Sequence, residues 1–249
     1  MLSRPHHRWS PVGWLGTSGL ARQLALVVMA ALAYFGVRGV TQSGMARAFA
    51  HAHQVIEAEQ WLGIDWEVTL QQLIIDHASL VTMANWIYIY GHWPVVACVL
   101  TWLFVRHRDE YLTLRDAMFI SGAIGLIIFI AFPTAPPRFI DMGLLDTVTD
   151  RSESYRTLQP PGLINKYAAM PSLHFGWNLL VGVVVFRVSR HSLVRVFAIG
   201  LPIAMAVAVV ATANHYVLDV PAGGLVALSG LALVQPVNRV VRRVRQRWA

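Results

Sequence analysis

Residues 196–219 read VFAIGLPIAMAVAVVATANHYVLD, and this stretch decides the fold. The 23 residues from Val196 to Leu218 contain no Asp, Glu, Lys or Arg. A helix needs about 20 predominantly apolar residues to cross the hydrocarbon core of a bilayer. The run closes on His215 and Asp219, four positions apart. On a helix that spacing puts both side chains on one face. Ionisable groups at the end of a membrane span are costly to keep, so their presence points to function.

Working outward, five more windows lack Asp, Glu, Lys and Arg: Gln23–Val37 (15 residues), His77–Val105 (29), Ala117–Pro137 (21), Tyr167–Phe186 (20) and Val220–Asn238 (19). The first is short, but Arg22 and Arg38 flank it and can snorkel to the interface. Ala31-Leu32-Ala33 offers a small-residue cleavage site, but 22 residues precede the apolar run, so a retained helix is expected rather than a signal peptide. The expected fold is therefore an all-α integral membrane protein of six transmembrane helices in one bundle, a single domain over 1–249. Composition agrees. Of the 249 residues, 56% are hydrophobic and 13% charged, against about 25% charged in soluble domains. An ordinary soluble globule, a disordered tail and a fibre are excluded. The single cysteine, Cys98, allows no internal disulfide and no cysteine zinc site.

Basic residues set the orientation. With the amino terminus in the cytoplasm, 14 of the 20 Lys and Arg fall on inner segments and 10 of the 13 acidic residues fall outside. Both termini are then cytoplasmic, and the net charge of +7 reflects a membrane surface rather than a nucleic-acid partner. The basic tail 239–249 is expected against anionic lipid. Two segments face outward, about 41–76 and 134–170. In the first, Gly44–Trp61 reads as an amphipathic helix lying in the interface. The second reads as a loop that can cover a site. Gly122, Gly125, Gly176, Gly182, Gly223 and Gly224 suit close helix packing, and Pro94 and Pro202 are expected to kink their helices.

Three polar clusters reach one membrane level, at the outer face: Phe132–Arg138, Met170–His174 and Asn214–Asp219. A carboxylate bonded to one imidazole nitrogen fixes the tautomer and makes the other nitrogen the better nucleophile, which assigns roles to Asp219 and His215. His174 opens a helix whose free N–H groups suit a phosphate. Ser172 adds a hydroxyl, and Arg138 a forked cation. Together they supply a nucleophile, an orienting acid, a proton-transfer histidine and an anion cradle, the inventory for phosphoryl transfer. The bland readings are a His215–Asp219 structural pair and an Arg138 that anchors the loop to headgroups. His51 and His53 form an HxH pair with no third ligand at metal-site spacing, His6 and His7 lie in a solvated tail, and His92 reads either as a pocket wall or as a buried hydrogen-bonding group.

At these residues the sequence resembles the type 2 phosphatidic acid phosphatase superfamily, and within it the branch of inositol phosphorylceramide synthase and the sphingomyelin synthases. The resemblance covers about 115–237. Pro171-Ser172-Leu173-His174 is similar to the family's Pro-Ser-Gly-His motif, with Leu173 for Gly. His215-Tyr216-Val217-Leu218-Asp219 is similar to its His-x-x-x-Asp motif, and Arg138 matches the arginine closing the first motif. The resemblance implies a metal-independent enzyme without cofactor. His215 forms a phosphohistidine, Asp219 supports it, His174 protonates the leaving oxygen, and Arg138 and Ser172 bind phosphate. Two family cations are missing, at Ala131 and Val209. Either the substrate is a phosphodiester of lower charge, the favoured reading, or Lys166 or Arg151 replaces them. The expected function is a plasma-membrane lipid phosphotransferase or phosphatase, inositolphosphotransferase-like or a lipid phosphate phosphatase, with its site open to the cell exterior. Its partners are a lipid substrate and the membrane. The alternatives are a non-catalytic phospholipid-binding or translocating protein of the same fold, and a structural membrane subunit. The acceptor, the lipid and the oligomeric state are not encoded in any motif.

Overall fold

The computed structural model describes residues 44–151 and 166–247, with isolated positions between 25 and 36. The expected first span at 23–37, the tail carrying His6 and His7, and the loop portion carrying Arg156 lie outside the described stretches, as do the side chains of Arg151 and of residues 237–247. The described chain is helical: α1 (Met45–Leu62), α2 (Glu67–Ile75), α3 (Ala78–Tyr90), α4 (Trp93–Arg106), α5 (Arg108–Ala131), a 3-10 turn (Pro137–Phe139), α6 (Thr147–Arg151), α7 (Leu173–Val188), α8 (Ser192–Ala211) and α9 (Asp219–Arg247).

Apolar runs give the long helices, but a charge-free window is not a helix. Among the described residues, α5 and α8 are long and apolar enough to cross a membrane, and α3 with α4 makes a third span if the bent pair is counted as one. Two or three spans are therefore shown among the described residues, and not clearly the six expected. The 77–105 window breaks after Gly91 into two helices at 43°. The 167–186 window spends its first residues in a loop, so α7 has only 16 residues. Pro94 does not kink a helix but sits in the first turn of α4, where its missing N–H costs nothing. Pro202 lies inside α8, which continues through it. Residues 239–247 are helical, because α9 runs on to Arg247.

The core forms where α5, α7 and α9 meet, with α8 against α7. Leu103, Leu114, Ala117, Leu180, Val181, Val184 and Ala227 are all fully buried there. Small residues set the spacing. A Cβ on Gly176 would come within 2.5 Å of the Gly223 carbonyl oxygen, and one on Gly230 within 2.6 Å of that of Ala117.

The predicted amphipathic helix is α1. Ala48, Ala52, Val55 and Glu59 form its buried stripe, at the i, i+4, i+7 spacing of one helix face. It ends at Gly63, whose φ of 70° is left-handed. From there Gly63 N–H and Ile64 N–H donate back to the carbonyls of Gln60 and Glu59, at 3.1 and 3.0 Å. The stripe packs on Ala135, Ala169 and Tyr216, so α1 covers the end of the bundle where the polar clusters lie. The short helix α2 was not foreseen in this outer segment.

Candidate active site

Two helix amino termini meet at this end of the bundle. Ser172 caps α7, its Oγ accepting from Phe175 N–H. Ser172 N–H donates to the Asp219 carbonyl at 3.0 Å, which ties the start of α7 to the start of α9. Gly223 allows the approach, because any Cβ there would overlap the Ser172 carbonyl. His174 thus stands in the first turn of α7 beside the first residue of α9.

His215 comes from the turn between α8 and α9. Asn214 N–H and His215 N–H both donate to the Val209 carbonyl, at 3.2 and 3.0 Å. Ala213 takes a left-handed φ of 56°, a conformation that a non-glycine residue adopts only when its surroundings hold it there. Its carbonyl accepts from Arg138 N–H at 3.1 Å. Tyr216, fully buried, anchors the turn by donating its hydroxyl to the Ala135 carbonyl at 3.0 Å.

The histidine geometry follows. His215 Nδ1 faces the Ala169 carbonyl at 2.6 Å and Asp219 Oδ2 at 3.1 Å. Both neighbours are acceptors, so Nδ1 carries the proton and Nε2 keeps its lone pair. Asp219 Oδ2 also accepts from Tyr216 N–H at 2.9 Å, and the residue is fully buried. The His174 ring lies 6.0 Å from that of His215. On its other side His174 stacks on Tyr88 at 4.6 Å and meets His92 at 4.3 Å.

His92 is buried, and Asn178 Nδ2 spans it and the α7 backbone, at 3.0 Å from His92 Nδ1 and 2.8 Å from the His174 carbonyl. The amide donates to both. That leaves the His92 proton on Nε2. Of the two sequence readings of His92, the hydrogen-bonded one holds, and it also forms a wall against the candidate acid. The sequence signal for Tyr88 was only its nearness to His92 in the chain. Asn178, inside an apolar run, gave none.

Arg138 reaches this region, but not as a free fork. Its Nη1 donates to Asn214 Oδ1, and its Nε lies 3.1 Å from Asp146 Oδ2. Lys166 is exposed and makes no hydrogen bond or ion pair to the histidines among the described residues. At the positions of the two missing cations, Val209 is fully buried among Tyr88 and Met205, whereas the Ala131 carbonyl receives Arg47 Nη2 from α1 at 3.2 Å. Arg47 was not foreseen there. His51 is no ligand: its Nδ1 sits 2.8 Å from the Pro133 carbonyl and its ring stacks on Phe132 at 4.0 Å. Among the described residues no group of three or more His, Cys, Asp or Glu could hold a metal ion.

A family model described as the PAP2 superfamily matches residues 53–233, well over half of the chain. The chain belongs to the PAP2 superfamily. PAP2 proteins are generally phosphoesterases, and membership points to phosphatase or phosphotransferase chemistry on a membrane-associated fold. No curated protein and no solved structure matches this PAP2 chain. The match runs from within α1 to within α9, so it includes Tyr88, His92, His174, His215 and Asp219.

Proposed function

We propose that this PAP2 protein is a metal-independent lipid phosphotransferase or phosphatase acting through His215. The reading rests on one observation: His215 Nδ1–H is held by the Ala169 carbonyl and Asp219, with the His174 ring 6.0 Å away. In the first step Nε2 of His215 attacks phosphorus, a P–N bond forms, and the P–O bond to the leaving group breaks. His174 passes a proton to that oxygen. In the second step water or an alcohol attacks the phosphohistidine, His174 takes its proton, and the P–N bond breaks. Asp219 stabilises the positive charge on His215 between the steps.

The substrate we assign is a lipid phosphodiester. Arg138 is already paired with Asp146, so the site offers less positive charge than a phosphomonoester dianion needs. The lipid approaches along the apolar groove on α3, lined by Thr82, Met83, Trp86, Ile87, Tyr90 and Gly91, the residue that precedes His92 in the chain. Trp86 and Trp93, both exposed, flank that break, as aromatic side chains do at a membrane interface. The six-span topology belongs to this proposal, with cytoplasmic termini and the site at the outer face of the plasma membrane, as does the kinship with inositolphosphotransferase-type enzymes.

The test is purified protein in lipid, given phosphomonoester and phosphodiester lipids with and without inositol, with products identified by mass. A new headgroup-bearing lipid marks a transferase and free phosphate a phosphatase. His215→Ala is expected to abolish turnover while the protein still folds. Lipid retained at unchanged mass by the wild type would instead mark the non-catalytic binding protein.

A further inference from the structure

Two acid groups outside every motif sit under the His215 turn. Glu59 on α1 and Glu67 on α2 are both fully buried. Glu59 Oε1 accepts from Leu218 N–H at 2.7 Å, and Glu67 Oε1 accepts from Val217 N–H at 2.8 Å. These are consecutive backbone donors, lying between His215 and Asp219. The second oxygens, Glu59 Oε2 and Glu67 Oε2, are buried and accept from no N–H or O–H group among the described residues. Val217 N–H and Leu218 N–H are adjacent along the backbone, so the two carboxyls that grip them are neighbours as well.

Two facing carboxylates without water repel, so a buried pair keeps one proton between them. Burial first, and then the hydrogen bond to Glu67, push the Glu59 carboxyl up to about 9. The other ionisable groups that face the pair are Asp219, at the start of α9, and Tyr216 in the turn. One shared proton satisfies both orphaned oxygens and leaves one negative charge to hold two peptide N–H groups.

We propose that Glu59 and Glu67 form a proton-sharing carboxyl pair that positions the His215 turn from outside the catalytic motif. The inference rests on the phosphoryl-transfer reading for its catalytic consequence, though not for its geometry. Val217 and Leu218 carry no functional side chain, yet their N–H groups fix the backbone between nucleophile and orienting acid. The pair makes α1 and α2 parts of the site, and it explains why the covering segment carries buried acids on an apolar face.

Amide substitutions separate this from simple packing. In Glu59→Gln the amide oxygen can still accept from Leu218 N–H while its NH2 donates to the remaining carboxylate, so the clamp survives. Glu67→Gln works in the same way. In the double variant both oxygens are needed by the backbone, so two NH2 groups face each other and one grip is lost. Each single variant is expected to keep kcat within about threefold, whereas the double variant loses about tenfold or more with KM unchanged, in line with the loss of one buried hydrogen bond. Amide exchange at Val217 and Leu218, followed by mass spectrometry, should speed up only in the double variant. This readout does not depend on turnover. Additive effects, or unchanged exchange in a folded double variant, would overturn the pair. If the wild type turns over no phosphoester while the exchange pattern appears, the functional reading fails and the clamp stands.

Discussion

Replacing Asp219 by Asn tests the nucleophile in a quantitative way. Asp219 Oδ2 accepts two hydrogen bonds, from Tyr216 N–H at 2.9 Å and from His215 Nδ1–H at 3.1 Å. The Ala169 carbonyl is a second acceptor for the same Nδ1–H, at 2.6 Å. An asparagine oxygen reaches as far as the carboxylate oxygen, and Ala169 still selects the tautomer. What the variant loses is the negative charge that stabilises a cationic His215 in the transition state. A hydrogen bond to a charged group contributes about 1.5–3 kcal/mol, against about 1 kcal/mol for a neutral one. The charge alone is then worth about 0.5–2 kcal/mol, or roughly 2- to 30-fold in kcat. The assay is steady-state turnover of a lipid phosphodiester at saturation, with KM measured beside it and folding checked by thermal unfolding. A kcat within about twofold of wild type would refute the orienting role. A loss beyond roughly a thousandfold would refute the part given to Ala169, since it would mean that Asp219 alone sets the tautomer.

Asp146→Asn should release Arg138 from its carboxylate and move the ratio of kcat/KM for monoester over diester upward, on the order of tenfold for one uncompensated charge near the phosphate; an unchanged ratio would show that Arg138 does not bear on substrate charge. Gly223→Ala forces a methyl into the Ser172 carbonyl, so thermal unfolding should show a loss of about 1–3 kcal/mol, and wild-type stability would mean that α7 and α9 can part freely. For Glu59, the folded state holds its carboxyl proton up to about 9 while the unfolded chain releases it near 4.5. The stability this proton contributes is complete below the lower value and is lost as pH rises through the upper one. The wild-type melting temperature in detergent should therefore fall from pH 5 to pH 9, roughly the window between those two values, and Glu59→Gln should flatten that fall; parallel profiles would contradict the buried proton.

The site was legible where chemistry and spacing coincide. The His215–Asp219 interval and the helix start before His174 are local signals, and the structure joins them through the Ser172 N–H to Asp219 carbonyl bond. The covering helix was visible in the apolar positions of 44–61. The number of spans was not, because absence of charge says nothing about where the backbone turns. Gly91 breaks one window, and the residues before Leu173 are held by a bridge between Thr134 and Ala168 rather than by a helix. Glu59 and Glu67 were invisible for the opposite reason. On an interfacial helix a glutamate reads as a solvated residue, and only tertiary structure supplies the two N–H groups that bury it. Lys166 looked like a spare cation because it lies between two motifs, and its side chain is exposed.

The charge balance of the site argues for its substrate class. At the start of α7, Phe175 N–H goes to Ser172 Oγ, Gly176 N–H to the Ser172 carbonyl, and Ser172 N–H to Asp219. The N–H groups of Leu173 and His174 are therefore the ones left for a ligand among the described residues. A helix terminus presents about half a positive charge, and the Arg138–Asp146 pair adds almost none at a distance. Asp219 and the acid pair under the turn each bring negative charge to the same end of the bundle. Among the described residues, the second charge of a dianion would meet Asp219 with little to offset it, whereas a monoanion can be held by neutral donors, and this supports the diester proposal. A phosphodiester is the monoanionic form of a lipid phosphate at neutral pH. The two absent motif cations and the paired Arg138 thus point the same way, toward the lower-charge substrate we propose.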